Sequence, residues 1–242
     1  MVLFKKINKP RIIILISIIT VLAISCTDFF SSSWAPWAAR DPNKLVPKVT
    51  TGNVDELILM AENNPDLSLA VLEKIGSAVK GASGKSKQKL QNAALSAATN
   101  AVGLGQAALG AANDIINIDL SNEDEAAEQA KKILLDAVDN MKNLDSTTQA
   151  LLEILPDPND SEAFDEWASG ANADDLAMAA AILLAGEVKK ADNIDDYLDT
   201  YHEDPSDSAA LAIALASALD GREDELSGPL KSILQGLDLF KS

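Results

Sequence analysis

Apolar residues recur at helical spacing through most of this chain, and this periodicity is what most limits the folds that it can adopt. Val54, Leu57, Ile58 and Ala61, for example, follow an i, i+3, i+4, i+7 pattern. No segment alternates apolar and polar residues with the period of two that marks a half-buried strand. Apolar residues make up 47% of the chain and aromatic residues only 4%, so alanine and leucine supply most of the apolar surface. The sequence therefore predicts an all-α fold without β-sheet.

Proline, glycine and capping residues divide this pattern into about eleven short helices. Asn64-Pro65 ends one helix and begins the next, since proline suits the first turn of a helix. Residues 81–84 break the chain again, and three glycines near Gly105 end the alanine-rich stripe that begins at Leu90. Further helices are expected from Ser121 with Asp124 as an approximate capping box, at Thr147 to Leu155, Ser161 to Trp167, Asn172 to Lys190, Ile194 to Tyr201 and Ala209 to Leu219, and from Pro229 onward.

Two of these helices resemble each other. Residues 176–181 and 211–216 share an alanine-rich pattern at an offset of 35 residues, close to the 34 residues of a tetratricopeptide repeat. The Trp, Leu-Gly, Tyr and Pro signature of that family is absent. The interpretation is therefore an array of short antiparallel helical hairpins, either a tetratricopeptide-like solenoid or an irregular helical bundle.

The first 25 residues have the layout of a secretory signal peptide. Lys5, Lys6, Lys9 and Arg11 form a basic start, and residues 12–25 form an apolar run that is shorter than the roughly 20 residues needed to span a bilayer. The run ends in Leu-Ala-Ile-Ser followed by Cys26, the only cysteine of the chain.

A small residue before a lone cysteine at this position resembles the lipobox of bacterial lipoproteins, over residues 1–26 only. Ala23 and Ile24 stand where the usual pattern has leucine and a small residue, so the match is to the relaxed, spirochaete-type lipobox. The resemblance implies cleavage before Cys26, diacylglycerol on its sulfur and an acyl chain on its amino group. It also implies a protein held on the bacterial cell envelope by lipid, in the periplasm or at the surface. An uncleaved anchor or an ordinary signal peptide is the alternative.

The remaining chain is expected to comprise a tether, residues 26–49, and a single helical domain, residues 50–242. Asp41-Pro42 and Val46-Pro47 discourage a helix in the tether. Trp34 and Trp37 would lie at the lipid interface or dock onto the domain. The formal net charge is −17, and removal of the four basic residues of the signal peptide makes it −21. Residues 26–110 are near neutral at +1, whereas residues 111–242 carry −22.

The composition excludes several kinds of site. One histidine, His202, and one cysteine cannot build a zinc centre or a disulfide framework, and the acidic balance excludes nucleic acid as a partner. Gly84-Lys85-Ser86 lacks the first glycine of a phosphate-binding loop, because Val79 stands there. The segment from Asp157 lacks the glycine and the last glutamate of an EF-hand. The acids around Asp195 leave weak cation binding open.

No catalytic or cofactor-binding motif is present, so no enzymatic activity is expected and Cys26 is the only site residue that the sequence assigns. The favoured function is a lipid-anchored protein-binding or scaffold module whose partner has a basic surface. The alternative is a carrier of a small hydrophobic ligand between alanine-rich helices near Ala97 and Ala108, as an accessory to a transporter. A hydrolase that uses a pair of carboxylates is the third hypothesis.

Overall fold

The computed structural model describes residues 41–104, 123–191 and 205–227. Within these ranges it contains nine α-helices and one short 3₁₀ turn (Glu223–Glu225) and no β-strand, which confirms the all-α fold. In chain order the helices are α1 (Pro42–Leu45), α2 (Val54–Ala61), α3 (Pro65–Val79), α4 (Gly84–Ala101), α5 (Glu123–Asp139), α6 (Leu144–Ile154), α7 (Ser161–Ser169), α8 (Ala173–Lys190) and α9 (Asp207–Ser217).

The antiparallel pair α3 and α4 lies at the centre of the bundle. Asn64 caps α3, because its side-chain oxygen accepts a hydrogen bond from the Leu67 amide at 3.0 Å, and Pro65 occupies the first turn as expected. The glycine-containing turn after Val79 then reverses the chain, and α4 begins at Gly84 with a φ of +50°. The helix boundaries predicted from Asn64-Pro65 and from residues 81–84 are therefore confirmed.

Two glycines let neighbouring helices approach closely. A Cβ atom placed on Gly76 of α3 would lie 3.3 Å from the Ile154 side chain of α6. A Cβ atom on Gly186 of α8 would lie only 2.7 Å from the hydroxyl of Thr148, also in α6. The packing of α6 against α8 at this point therefore requires a residue without a side chain.

Asn143 joins three helix ends at one end of the bundle. Its backbone is left-handed, with a φ of 51°, a conformation that asparagine tolerates better than most residues. Its amide nitrogen donates to Asp66 at the start of α3 and to the carbonyl of Ala101 at the end of α4, each at 3.2 Å. The beginnings of α3 and α6 and the end of α4 therefore share one end of the bundle, which we call the Asn143 end.

The buried side chains form one continuous hydrophobic cluster across all the helices of the central bundle. The apolar face of α4 is almost entirely alanine and leucine, as the stripe Leu90, Ala94, Ala97, Ala101 and Leu104 predicted, and all five residues are buried. The largest fully buried side chains are Leu67, Leu72, Ile75, Leu95, Leu104, Leu144, Leu151, Leu176, Ile182 and Leu183.

The two alanine-rich segments that resemble each other fall in α8 and α9, which pack against one another. Asn172 caps α8 and Ser206 caps α9, through hydrogen bonds to the amides of Asp175 and Ala209 at 3.1 Å in each case. The packing of these two helices is consistent with a helical bundle. That they form a tetratricopeptide-like repeat remains a prediction.

The expectation that Asp41-Pro42 discourages a helix is wrong. Asp41 is instead an N-cap that accepts a hydrogen bond from the Asn43 amide at 3.1 Å, and Pro42 lies in the first turn, where its missing N–H has no cost. Val46 and Val49, which follow, are buried in the core. Packing therefore begins inside the segment that was expected to be a tether.

Other boundaries shift by a few residues or cannot be compared. α6 begins at Leu144 rather than Thr147, and α9 begins at Asp207 and ends at Ser217. The expected helices over Ile194 to Tyr201 and from Pro229, the start at Ser121 and the indoles of Trp34 and Trp37 lie outside the described residues.

Candidate functional site

An open groove of about 840 Å³ runs along the surface of the bundle. One wall is the outward face of α2, where Asp55, Ile58, Leu59 and Glu62 recur at helical spacing. α4 forms the floor, and the first turns of α8 add Asp175 and Met178 alongside the middle of α4. Along α4 the groove extends from Lys85 to Asn100, roughly 22 Å at the helical rise of 1.5 Å per residue. We call this feature the α2–α4 groove.

The groove exists because α4 has two unlike faces. Its inner face carries the small apolar residues of the core, whereas its outer face carries polar residues at the same helical spacing. The polar residues that line the groove are Lys85, Gln88, Lys89, Asn92, Ser96, Thr99 and Asn100. The short helix α2 covers only part of this outer face, so the space beside it stays open.

One large apolar side chain of the groove, Leu59, is exposed to solvent. Leu59 and Met60 are the large hydrophobic side chains of the described residues that remain exposed, at 68% and 47%. Leu59 lines the groove together with Ile58 and Met178, whereas Met60 does not. Exposed apolar side chains grouped beside polar ones are typical of a surface that binds another molecule.

Asp175 lies in the groove where the first turn of α8 meets α4. The Ser96 hydroxyl donates a hydrogen bond to its carboxylate at 3.2 Å. Burial raises the pKa of Asp175 to about 6; the Ser96 hydrogen bond opposes this shift and the neighbouring charge of Asp174 adds to it. Near neutral pH the groove therefore holds a carboxylate that would be stabilised by a cation.

Glu62 places a second carboxylate on the α2 wall, and burial raises its pKa as well. No lysine or arginine of the described ranges lies within ion-pair distance of Glu62 or Asp175. Asp55, in contrast, is paired with Lys89 at 2.8 Å across the groove. The groove thus has a neutralised pair near one end and two unpaired carboxylates elsewhere.

Asn92 connects the groove to the rest of the bundle. Its amide nitrogen donates to the carbonyl of Gly170, in the turn between α7 and α8, at 3.4 Å. Arg222 fixes the same turn from the other side, through hydrogen bonds to the carbonyls of Ala168 at 2.8 Å and Ala171 at 2.7 Å. These contacts hold the start of α8, and with it Asp175, against α4.

Glu62, Asp175 and Leu59 could not be identified as site residues from the sequence. Glu62 and Leu59 belong to a helical stripe that continues past the buried face of α2, which is a weak signal. Ser96 and Asp175 are separated by 79 residues, so their contact follows only from the packing of α8 on α4.

Most candidate residues predicted from the sequence lie outside the α2–α4 groove or outside the described residues. Cys26, the acids around Asp195, His202 and Ala108 lie outside the described residues, whereas Ala97 is buried in the packed face of α4. Asp157 accepts hydrogen bonds from the backbone and side-chain nitrogens of Asn159 in a local turn, at 2.8 and 2.9 Å. In the part of the chain that the structure describes, no group of three or more His, Cys, Asp or Glu residues could hold a metal ion.

Comparison with protein-family models, with curated proteins and with solved structures finds no match to this chain. Among the helices of the three described ranges, none is both long enough and apolar enough to cross a membrane.

Proposed function

We propose that this chain is a lipid-anchored protein of the bacterial envelope whose α2–α4 groove binds a segment of a partner protein. The partner segment presents apolar side chains to Leu59 and Met178 and a cationic side chain to Asp175. The observation that carries the proposal is the open groove in which the exposed Leu59 lies near two carboxylates whose pKa burial raises and which no neighbouring cation neutralises.

The dimensions of the groove favour a helical segment over a single side chain. Its length of roughly 22 Å corresponds to about fifteen residues of helix, and its lining combines the apolar Ile58, Leu59 and Met178 with polar side chains of α4. An amphipathic helix that lies in a groove is a common mode of peptide recognition. A basic residue on the same helix would then neutralise Asp175, in agreement with the partner of basic surface that the charge of the chain predicts.

The acidic balance of the protein supports the same kind of partner. Residues 111–242 carry a net charge of −22, and such a field attracts cationic proteins over long distances and repels anionic ones. The function is therefore binding without catalysis, in which the groove gives specificity and the field accelerates association.

Photo-crosslinking in intact cells tests the groove. A photoreactive residue in place of Leu59 should crosslink to a defined partner, and the same residue in place of the adjacent Met60, which is exposed but outside the groove, should not. The crosslink should weaken in Asp175→Lys and at high salt. Equal crosslinking from both positions, or no effect of Asp175→Lys, would exclude the groove as the binding site.

The lipid anchor has its own test. Labelling with palmitate should mark the wild-type protein, and Cys26→Ala should abolish the label and change the electrophoretic mobility. A wild-type protein that takes up no label would disprove anchoring and leave the groove proposal in place.

A small-molecule carrier is the second candidate, because a volume of about 840 Å³ lies within the range of ligand pockets. Native mass spectrometry of the purified protein distinguishes the two functions. A co-purified ligand that Leu59→Glu removes and Met60→Glu retains would favour the carrier.

A further inference from the structure

At the opposite end of the bundle from Asn143, the chain forms a second, smaller depression of about 440 Å³. It lies between residues 48–51, the end of α3 and the first residues of α4. Residues 48–51, which precede α2, therefore form part of the bundle end at which α3 stops and α4 begins.

Lys48 lines this depression, and Lys80, Lys85 and Lys87 are exposed neighbours in sequence of its other lining residues. We call these four lysines the lysine face. Lys80 has a weak ion pair with Glu153 at 3.5 Å, between two exposed side chains. No carboxylate of the described residues lies within ion-pair distance of the other three. The lysine face therefore carries positive charge that this part of the protein does not neutralise.

Helix stability does not explain these positions. Lys85 and Lys87 lie in the first turns of α4, where the helix dipole favours acidic residues, and the first turn of α4 has none. Ser83, the N-cap residue, makes no side-chain hydrogen bond to the helix. Several positive charges therefore gather at a site where they oppose the local helix, which is consistent with an external anionic partner.

The Asn143 end has the opposite charge. Asp66, Asp139 and Asp145 are exposed there, and Lys142 is the cation beside them. The two ends are separated by the length of α3, fifteen residues or roughly 22 Å. The acids Glu153 and Asp55 near the lysine face are each paired with a lysine. An anionic surface would thus meet unpaired lysines at one end and exposed carboxylates at the other.

The segment that leads into the described domain packs along α3 before it reaches the depression. Val46 and Val49 are buried, and the Lys74 ammonium of α3 donates to the carbonyl of Val46, so residues 46–49 pack along the second half of α3. Cys26 precedes Asp41 by 15 residues, which span at most about 50 Å when fully extended. Both ends of the bundle are within that reach, so the length of the chain alone does not select the end that faces the membrane.

We propose that the lysine face rests on the anionic phosphates of the lipid surface to which Cys26 is anchored. This orientation depends on the lipid anchor of the proposed function. In this orientation α4 begins at the membrane and runs away from it, so that Asp175 and the Asn143 end lie farther from the lipid and face the partner.

Depth-dependent fluorescence quenching tests this orientation in the full, acylated protein on vesicles. Once Cys26 carries lipid, a cysteine introduced at Ser86 or at Ser146 is the only free thiol and can carry a fluorophore. Ser86 borders the lysine face, and Ser146 lies in the first turn of α6 at the Asn143 end. With nitroxide-labelled headgroups, the label at residue 86 should be quenched on vesicles that contain phosphatidylglycerol and much less on pure phosphatidylcholine. The label at residue 146 should be quenched on neither.

Charge reversal supplies the matched control. The double variant Lys85→Glu and Lys87→Glu should abolish the quenching at residue 86 and weaken electrostatic association with the anionic surface by roughly thirtyfold or more. The double variant Lys132→Glu and Lys142→Glu has the same net charge but lies away from the lysine face and should retain the quenching. Equal quenching on neutral and anionic vesicles, or equal effects of the two variants, would overturn the proposal.

Failure of the anchor and failure of the orientation have different readouts. Intact mass and flotation with phosphatidylcholine vesicles report acylation alone. If Cys26 proves unacylated, flotation with phosphatidylglycerol vesicles still tests the lysine face, and loss of flotation in the Lys85 and Lys87 variant supports it. A variant that changes self-association in detergent but not vesicle contact would assign the lysine face to a second copy of the chain instead, which also overturns the proposal.

Discussion

The two faces of α4 have opposite properties, although they alternate along one helix. Toward the core, residues such as Ala94 and Leu95 are completely buried against neighbouring helices. Toward the groove, polar side chains and the exposed Leu59 of α2 border open space. The difference indicates that the inner face determines stability and the outer face determines binding, and the predictions below test this division.

Truncation of one core leucine and one groove leucine should give the largest difference in the free energy of unfolding. Leu72 is fully buried in α3, and Leu72→Ala should lower the free energy of unfolding by about 2–5 kcal/mol because it leaves a cavity. Leu59→Ala should lower it by less than about 0.5 kcal/mol, since the side chain is 68% exposed. Urea denaturation of the two variants measures both values, and similar losses would contradict the division.

The close approach of α6 and α8 predicts the next largest effect. Gly186→Ala should destabilise the protein by about 1–3 kcal/mol, because the new Cβ would lie 2.7 Å from the Thr148 hydroxyl and overpack the contact. In a Thr148→Ala background the hydroxyl is gone and the same substitution should be neutral or stabilising, since alanine favours helix over glycine. A double-mutant cycle measures the coupling, and additive effects would refute the contact.

Asp175 should make stability depend on pH in an unusual direction. Its folded-state pKa of about 6 exceeds the usual 3.8, so the fold prefers the protonated form. Ionisation of the buried carboxyl destabilises the fold. This destabilisation is absent below pH 3.8, grows as the pH rises toward 6 and is complete above it. Asp175→Asn should therefore stabilise the protein by about 1–2 kcal/mol at pH 7.5 and change little at pH 4. Denaturation at both pH values is the measurement, and a variant less stable at pH 7.5 would contradict the assignment.

Removal of the ion pair across the groove should have the smallest effect on stability. Asp55→Asn breaks the 2.8 Å contact with Lys89, and Glu56→Gln removes a neighbouring acid of the same helix turn without a partner in the described residues. The difference between the two variants should be below about 1 kcal/mol and should shrink in high salt, as expected for an exposed pair. A larger, salt-insensitive difference would mean that the pair determines the position of α2.

The inner face of α4 could be predicted from the sequence, and the groove could not. The stripe from Leu90 to Leu104 and the breaks at Asn64-Pro65 and residues 81–84 are local signals, because proline, glycine and apolar spacing act within one or two turns. α1 was missed because Asp-Pro was treated as a helix breaker, although aspartate before proline is also an N-cap followed by a favourable first residue. The start of α6 was placed too late because Asn143 is left-handed and makes its side-chain contacts with distant helix ends.

The groove depends on contacts across the bundle. The environment of Asp175 is set by Ser96, 79 residues away, and by the hydrogen bond of Asn92 to Gly170, 78 residues away. The residue pattern of α4 or of α8 alone does not predict where the two helices contact each other. The lysine face could be predicted only in part. The cluster of Lys85, Lys87 and Lys89 is visible in the sequence, whereas its proximity to Lys48 is visible only in the fold.

The central claim, that Asp175 receives a cationic group of the partner, is tested most directly by the pH dependence of binding. The dissociation constant of the partner that crosslinks at position 59 should be measured at pH 7.5 and at pH 5.0, for the wild type and for Asp175→Asn. Because Asp175 becomes protonated below about pH 6, the wild type should bind about tenfold more weakly at pH 5.0, as for the loss of roughly 1.4 kcal/mol. Asp175→Asn should bind weakly at both values and show a smaller pH dependence than the wild type. The same pH dependence in both proteins would contradict the claim.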